Sequence, residues 1–396
     1  MAKVIINGVA KSITDAYAII SGSSKKIIKG YEVRSGAATE IYSSGTWYMY
    51  VLNPSAKTLT QYDRSFSVVN SVSLPDTIQA YQFTDIPNSL QVKNRVITVI
   101  SVSGTIMLVN QYNASDLTLK KQSTINLKTA LGVSQSTDVV YAVSGYTYDS
   151  KSTDLYVCAN ASWELYGDSY RYGGILRLSL NDSGDYVVSN SVIRQTGDNI
   201  PGRVWFTQTD NYLFTSSIYG FAGTILAVRK VTLALTEVNV PTNNVISAIS
   251  SGVEYAIASP SALTKYQATQ AVFRILNEPN NIISESATLS VPDTYLMGPI
   301  FLDVVGNNAY FLGAKGTSGK ILKYDGNQMS ISQNGNTFAI PTGYGGASLA
   351  MISQEGENFW VRASGQVMLL SLTGSIIESE SIANVTPTSG VCIAVT

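Results

Sequence analysis

From residue 45 onward, apolar residues fall in short runs that alternate with polar ones, and the runs end at Gly, Asn, Asp or Pro. A two-residue period bounded by such breakers is the pattern of half-buried β-strands. The pattern itself recurs. TLTQYDRSFSVVNSVSLP at Thr58, GTIMLVNQYNASDLTLKKQSTINL at Gly104 and GILRLSLNDSGDYVVSNSVI at Gly174 each read as a strand, a turn and a second strand. Equivalent runs start at Gly223, Gln270, Gly319 and Gly365. The steps between these anchors are 46, 70, 49, 47, 49 and 46 residues, so only the second contains an insertion.

Two further strand-like runs precede the later anchors: RVWFTQT and NYLFTSS before Gly223, GPIFLDVVG and NAYFLGAKG before Gly319, ASLAMIS and NFWVRAS before Gly365. Four strands in about 45–50 residues is the repeat of a β-propeller blade. The expected fold is therefore all-β: a seven-bladed β-propeller over residues 43–396, preceded by a small β-hairpin repeat segment over residues 1–42. Ahead of Thr58 only TWYMYVLNP is available, so the first blade lacks its innermost strand. GVCIAVT (390–396) is an orphan strand that would supply it, closing the ring and removing open sheet edges. No helix of note is expected.

The first 42 residues keep a different beat. Gly8, Gly22 and Gly36 are spaced by 14 residues, as are Ile5, Ile19 and Val33, and Ile13, Ile27 and Ile41. Each unit reads as a hairpin, because Asn7-Gly8 tolerates positive φ at both positions and the later copies carry Ser-Gly. Ordinary hairpins account for the strands but not for the period. VIINGVAKSI resembles the Val-Gly-Val-Asn-Gly-Val-Ala-(Arg/Lys)-Lys-Ile repeats found near the ends of minor structural proteins of tailed bacteriophages, over roughly residues 3–42. The resemblance implies a virion component (fibre, decoration or collar/tail component). Its repeats, with Asn7, Gly8, Gly22 and Gly36 at the turns, would dock on other virion proteins.

Charged residues make up 13% of the chain, about half the usual share. Net charge is −1, which gives no electrostatic case for nucleic acid or an anionic membrane. Histidine is absent, which removes Ser-His-Asp and Cys-His catalysis and every imidazole metal site. No cofactor and no metal are expected. Cys158 and Cys392 lie in apolar runs 234 positions apart and read as buried free thiols. The opening MAKVIINGVAKSITDAY has no signal-peptide core, and no run reaches membrane-spanning length. The expected localisation is the virion, after synthesis in the host cytoplasm without a signal peptide.

Candidate chemistry is aromatic. Propellers bind ligands at the ends of the central channel, on loops held by a rigid scaffold. The strand count makes NASWELYGDSYRYGG (160–174) the loop between the second and third strands of the third blade, with Trp163, Tyr166, Tyr170 and Tyr172. SIYGFAG adds Tyr219 and Phe221 on the same face, the fifth blade adds Tyr266, and the turn into the seventh adds Tyr344. Such rings stack on sugars or protein partners at small entropic cost. The plainer account is that a chain with 24 tyrosines caps its rims with them. Tyr146 and Tyr148, in SGYTYDSKSTD, fall in a loop of the opposite face.

Glycoside hydrolysis needs two carboxylates about 5–10 Å apart. Glu164, Asp168 and Asp210 lie near the aromatic segments, and only Asp303 is on an inner strand. A non-enzymatic binding role is therefore expected, with a polysaccharide-degrading propeller (glycosidase or lyase) as the alternative. GYGG (343–346) lacks the Lys-Ser/Thr of a phosphate loop, and DGNQ (325–328) lacks the carboxylates of a calcium loop. The expected partners are other virion proteins through residues 1–42 and a host-surface glycan or protein at the aromatic rim. No nucleic acid and no membrane insertion are expected, and a homo-oligomer on the particle is left open.

Overall fold

The computed structural model describes strands between residues 3 and 395. Side chains are described for 46–74, 90–163, 171–195, 211–213, 227–235, 308–340 and 349–394, short gaps apart. Segments 75–89, 196–200, 218–223, 260–269 and 341–348 are among those outside the described residues.

Among the described residues, seven four-stranded antiparallel sheets follow one another along the chain. We number them sheet 1 (47–73 with 390–395), sheet 2 (91–126), sheet 3 (140–195), sheet 4 (201–239), sheet 5 (244–290), sheet 6 (295–339) and sheet 7 (349–381). The first strands of consecutive sheets adjoin one another in a closed cycle. Sheet 1 takes its first strand from the far end of the chain: Gly390–Val395 pairs antiparallel with Trp47–Asn53, with Cys392 opposite Tyr50. Ahead of sheet 1, Lys3–Ile6 pairs with Val9–Ser12, Ala16–Ile20 with Ser23–Ile27, and Lys29–Arg34 with Ala37–Ser43.

The third strands start at Thr58, Ile106, Thr224, Gln270, Ser318 and Gln366, each within two residues of its sequence anchor. Sheet 3 differs. Its second and third strands, Leu155–Leu165 and Asp168–Leu180, run on through the segment read as a loop, with Trp163 opposite Tyr170 and only residues 166–167 between them. The physical reason is that Ala161, Trp163, Tyr170 and Tyr172 keep a two-residue alternation, and aromatic residues favour the pleated backbone. The insertion is thus a long hairpin, together with a link holding one helical turn, Leu127–Ala130. The side chain of Asn126 caps that turn by accepting from the Thr129 amide at 3.1 Å.

Burial grades from the ring's interior outward. Val96–Ser103, the second strand of sheet 2, is buried on both faces. Ile97 and Val99 enter the core shared with Tyr50, Leu52 and Leu59 of sheet 1. Ile100 and Val102 enter the core shared with Leu155, Val157 and Leu176 of sheet 3. A strand that packs on both sides must read as a continuous apolar run. Fourth strands such as Val68–Ser73 are mostly exposed. In sheets 1, 2, 3, 5 and 7 the fourth strand carries one extra residue: Val69, Lys120, Ser189, Ser286 and Ile377. Such bulges sharpen the twist and blunt an edge that would otherwise pair with another chain.

Turns between third and fourth strands lean onto the preceding sheet. Tyr50 and Gln61 of sheet 1 donate to the Ala114 carbonyl of sheet 2 at 2.6 and 3.0 Å. Lys121 of sheet 2 pairs with Asp185 of sheet 3 at 2.9 Å. The Asn336 amide and Asn334 side chain of sheet 6 donate to the Thr373 and Leu372 carbonyls of sheet 7, both at 2.8 Å. Cys158 and Cys392 are buried and form no disulfide, as their apolar runs implied.

Candidate recognition site

The long hairpin of sheet 3 projects from one end of the ring, the end that carries the turns between second and third strands. Trp163 and Tyr172 stack on it, with ring centroids 5.5 Å apart and planes at 22°. Both rings are half-buried and pack against the core that contains Leu127, Leu131, Val133 and Ala161. Register pairs Tyr170 with Trp163. Tyr166, Tyr219, Phe221, Tyr266 and Tyr344 lie outside the described residues, as do Asn7, Gly8, Gly22 and Gly36 of the repeats.

Tyr146 and Tyr148 are not loop residues. Both end the first strand of sheet 3 and are buried; Tyr146 Oη donates to the Thr98 carbonyl at 2.5 Å, and Tyr148 shares a hydrogen bond with the Thr98 hydroxyl. A phenol can enter a core when its hydroxyl finds a partner.

The opposite end of the ring carries a second aromatic cluster, which sequence reading missed. Trp47, Phe66 and Trp360 surround Arg64, whose guanidinium carbon lies 5.2 Å from the Trp47 ring centre and 5.0 Å from that of Trp360. Arg64 reaches from the third-to-fourth turn of sheet 1 to Glu378 on sheet 7, donating twice, at 2.6 and 2.7 Å. Those hydrogen bonds raise the Arg64 pKa further above its ordinary value, against the opposing effect of burial. Trp360 Nε1 donates to Glu355 at 2.6 Å. The turn is preset: Asp63 accepts from the Ser65 hydroxyl and from the amides of Ser65 and Ser67, which holds its carboxyl below the usual range. Phe66 takes φ 59° to reach the stack. One signal was present in the sequence: an aromatic ring inside the polar turn DRSFS, which has no purpose unless it packs.

A third group ties sheets 2, 3 and 4 at that same end. The buried Lys230 meets Asp149 at 3.4 Å, Arg177 meets Asp154 at 2.6 Å, and Lys93 donates to the Asp149 and Ser152 carbonyls. Desolvation pulls the Lys93 pKa down. Both carboxylates are committed to ion pairs: Asp149 ties sheet 3 to sheet 4, and Asp154 braces the strands of sheet 3 itself. Among the described residues, no group of His, Cys, Asp or Glu could hold a metal ion.

No family profile and no curated protein matches the chain in sequence. Solved structures do match in shape. The periplasmic gluconolactonase PpgL of Pseudomonas aeruginosa is similar at TM-score 0.54 and 14% identity, over 89% of this chain and 100% of that one. The Dos1 propeller matches at TM-score 0.49 and 10% identity, over 88% and 83% of the two chains. The Cps50 (Swd1) β-propeller domain of Myceliophteria thermophila matches at 0.43 and 10%, over 87% and 96%. At 14% identity the likeness to PpgL speaks for fold alone. The chain is all-β, with β-propellers as its structural neighbours.

Proposed function

We propose that this chain is a bacteriophage virion protein: a seven-bladed propeller, carried on three docking hairpins, that presents an aromatic hairpin to the host surface or to another virion protein. One observation carries the reading, the 14-residue period of residues 3–42 and its resemblance to phage structural repeats. The strand pairs there leave two-residue gaps at 7–8, 21–22 and 35–36, in step with the Asn-Gly and Ser-Gly positions. The seven sheets, the cyclic adjacency of their first strands and the pairing of Gly390–Val395 with Trp47–Asn53 support a ring closed by both chain ends. The Trp163–Tyr172 stack, raised on the only long hairpin among the described sheets, is the surface assigned to recognition of a glycan or protein. The ion-paired Asp149, Asp154 and Glu378 give a hydrolase no support at those positions.

The test is composition of purified particles. The full chain should appear in virions by mass spectrometry, and a chain starting near Ser43 should fold yet stay in the unassembled fraction. Virions that lack the full chain would remove the assignment; normal incorporation of the shortened chain would remove the docking role of the repeats.

A further inference from the structure

The long hairpin of sheet 3 has a second side. Strand register sets Val140, Ser162 and Arg171 on one line across the sheet, and Ala142, Asn160, Gly173 and Arg194 on the next line of the same face. Further down the strands this face is apolar: Tyr156, Cys158, Ile175 and Val192 pack with Leu213 and Val228 of sheet 4. Toward the tip it turns polar, and Val140, Asn160, Ser162, Arg171 and Arg194 are all half-buried or exposed. The polar part of the face is therefore open to solvent.

Charge is scarce in this chain, at 13% of residues, yet two guanidiniums stand on adjacent register lines here. Diagonal neighbours on antiparallel strands lie about 7–8 Å apart, within reach of long side chains, and like charges so placed repel. The described residues of the two lines include no acid. Glu164, opposite Ser169 one line further out, balances at most one of the pair. Arg194 forms no hydrogen bond or ion pair among the described residues, and its Nε is buried without a partner. A buried donor left unpaired costs free energy, so this one marks a place for an acceptor that the fold itself does not supply.

We infer that the hairpin binds an acidic polysaccharide, with a carboxylate or phosphate of the polymer on the fork of Arg194 beside Arg171, and sugar rings against Trp163 and Tyr172. The inference rests on the recognition role proposed above and names its ligand class. A guanidinium offers parallel donors that match two oxygens of such a group. Asn160 and Ser162 set neutral hydrogen-bonding groups on the same face as the arginines, suited to sugar hydroxyls. Aromatic and cationic residues alternate along the same two strands, so they lie on opposite faces of the hairpin. A ligand that touches both must be extended enough to cross its edge, which a polymer is and a single sugar is not.

The full-length wild-type chain, Arg194→Gln and Arg194→Lys would be titrated with polygalacturonate, its neutral methyl ester, polyglycerol phosphate and polyglutamate, and the melting temperature of each chain recorded. Wild type should bind polygalacturonate or polyglycerol phosphate at least about tenfold tighter than the methyl ester, with affinity falling as salt rises from about 0.05 to about 0.5 M. Which of the two binds tighter tells carboxylate from phosphate. Arg194→Gln should lose about tenfold, and Arg194→Lys should recover only part of it, since an ammonium lacks the fork. Melting temperatures should hold, because Arg194 has no bond to lose. Equal binding of the methyl ester, or undiminished binding by folded Arg194→Gln, overturns the inference and leaves standing the virion reading, which particle composition decides. Polyglutamate bound as tightly as the acidic glycans overturns the polysaccharide assignment in favour of an acidic protein. No binding of any of these polymers overturns it too. Should Arg194→Gln misfold, the wild-type comparison of acid with methyl ester decides.

Discussion

Replacing Arg64 by methionine keeps the apolar stem of the side chain and removes its charge and planar fork. Two ring faces lie within cation–π range of the guanidinium, each worth about 0.5–1 kcal/mol at a site open to water. The Glu378 pair is part-exposed, with side chains 41% and 33% accessible, so it adds about 0.2–1 kcal/mol. Together these predict a loss of about 1–3 kcal/mol in Arg64→Met, read from the urea midpoint of the full chain by tryptophan fluorescence. Arg64→Lys should recover less than half, since an ammonium keeps the charge but neither the fork nor the stacking. Glu378→Gln and the double variant complete a cycle whose coupling energy should be about 0.3–1 kcal/mol and should shrink in 1 M salt, where screening acts within about 3 Å. The ring contribution should persist in that salt. A methionine variant as stable as wild type, or a lysine variant indistinguishable from it, refutes the idea that the guanidinium joins sheets 7 and 1.

Deleting residues 390–396 removes a strand that buries Val391 and Cys392, and should cost about 4 kcal/mol or more; a truncated chain melting at the wild-type temperature contradicts this. Stability should be flat between pH 5 and 8, because no histidine titrates there. At the alkaline end, burial raises the pKa of Tyr50, Tyr186 and Cys392, and pushes Tyr156 up to about 12. The unfolded chain then ionises first, so stability present below about pH 9–10 falls above it, by up to about 1.4 kcal/mol per pH unit for each such group. Asp149 and Asp63 are depressed, so their contribution holds above about pH 4 and is lost as pH falls further. Urea midpoints across pH 3–11 check both limbs, and a transition near pH 6.5 would speak against them. Trp163→Ala should weaken host-surface adsorption by about 1–2 kcal/mol and, because the ring packs on the core, lower stability by about 1 kcal/mol as well. Unchanged adsorption by a folded variant would confine the ring to a structural role.

The strand pattern was legible wherever a turn residue punctuated it. Glycine and its polar neighbours stop apolar runs, so third-strand starts such as Thr58 and Gln270 coincide with their anchors. The sheet 3 hairpin was not legible. The strand count made 160–174 a loop, while the alternation of Trp163, Tyr170 and Tyr172 that makes it a ladder is plain only once the strands are paired. Single-residue bulges such as Val69 and Ile377 leave no mark in sequence, because one extra residue merely inverts which face the remainder presents. The Arg64 cluster joins residues 314 positions apart, a distance over which no local period carries information. Of the candidate surface, Trp163 and Tyr172 were found by residue type alone. Their mutual stacking, and their packing on the core of sheet 3, depend on how the strands pair.

The way sheet 1 is woven has a mechanical side. Whatever pulls on the chain ahead of Trp47 pulls on Trp47–Asn53, which lies between Gly390–Val395 and Thr58–Tyr62 and is hydrogen-bonded to both. Tension directed along that strand loads two ladders in shear at once, so their bonds must yield together instead of opening one by one from an edge. Forced unfolding is governed by the rate at which such a barrier is crossed, not by equilibrium stability. A ring knit shut at the point where its tether enters can thus be of ordinary stability in urea and still hold for long under a steady pull.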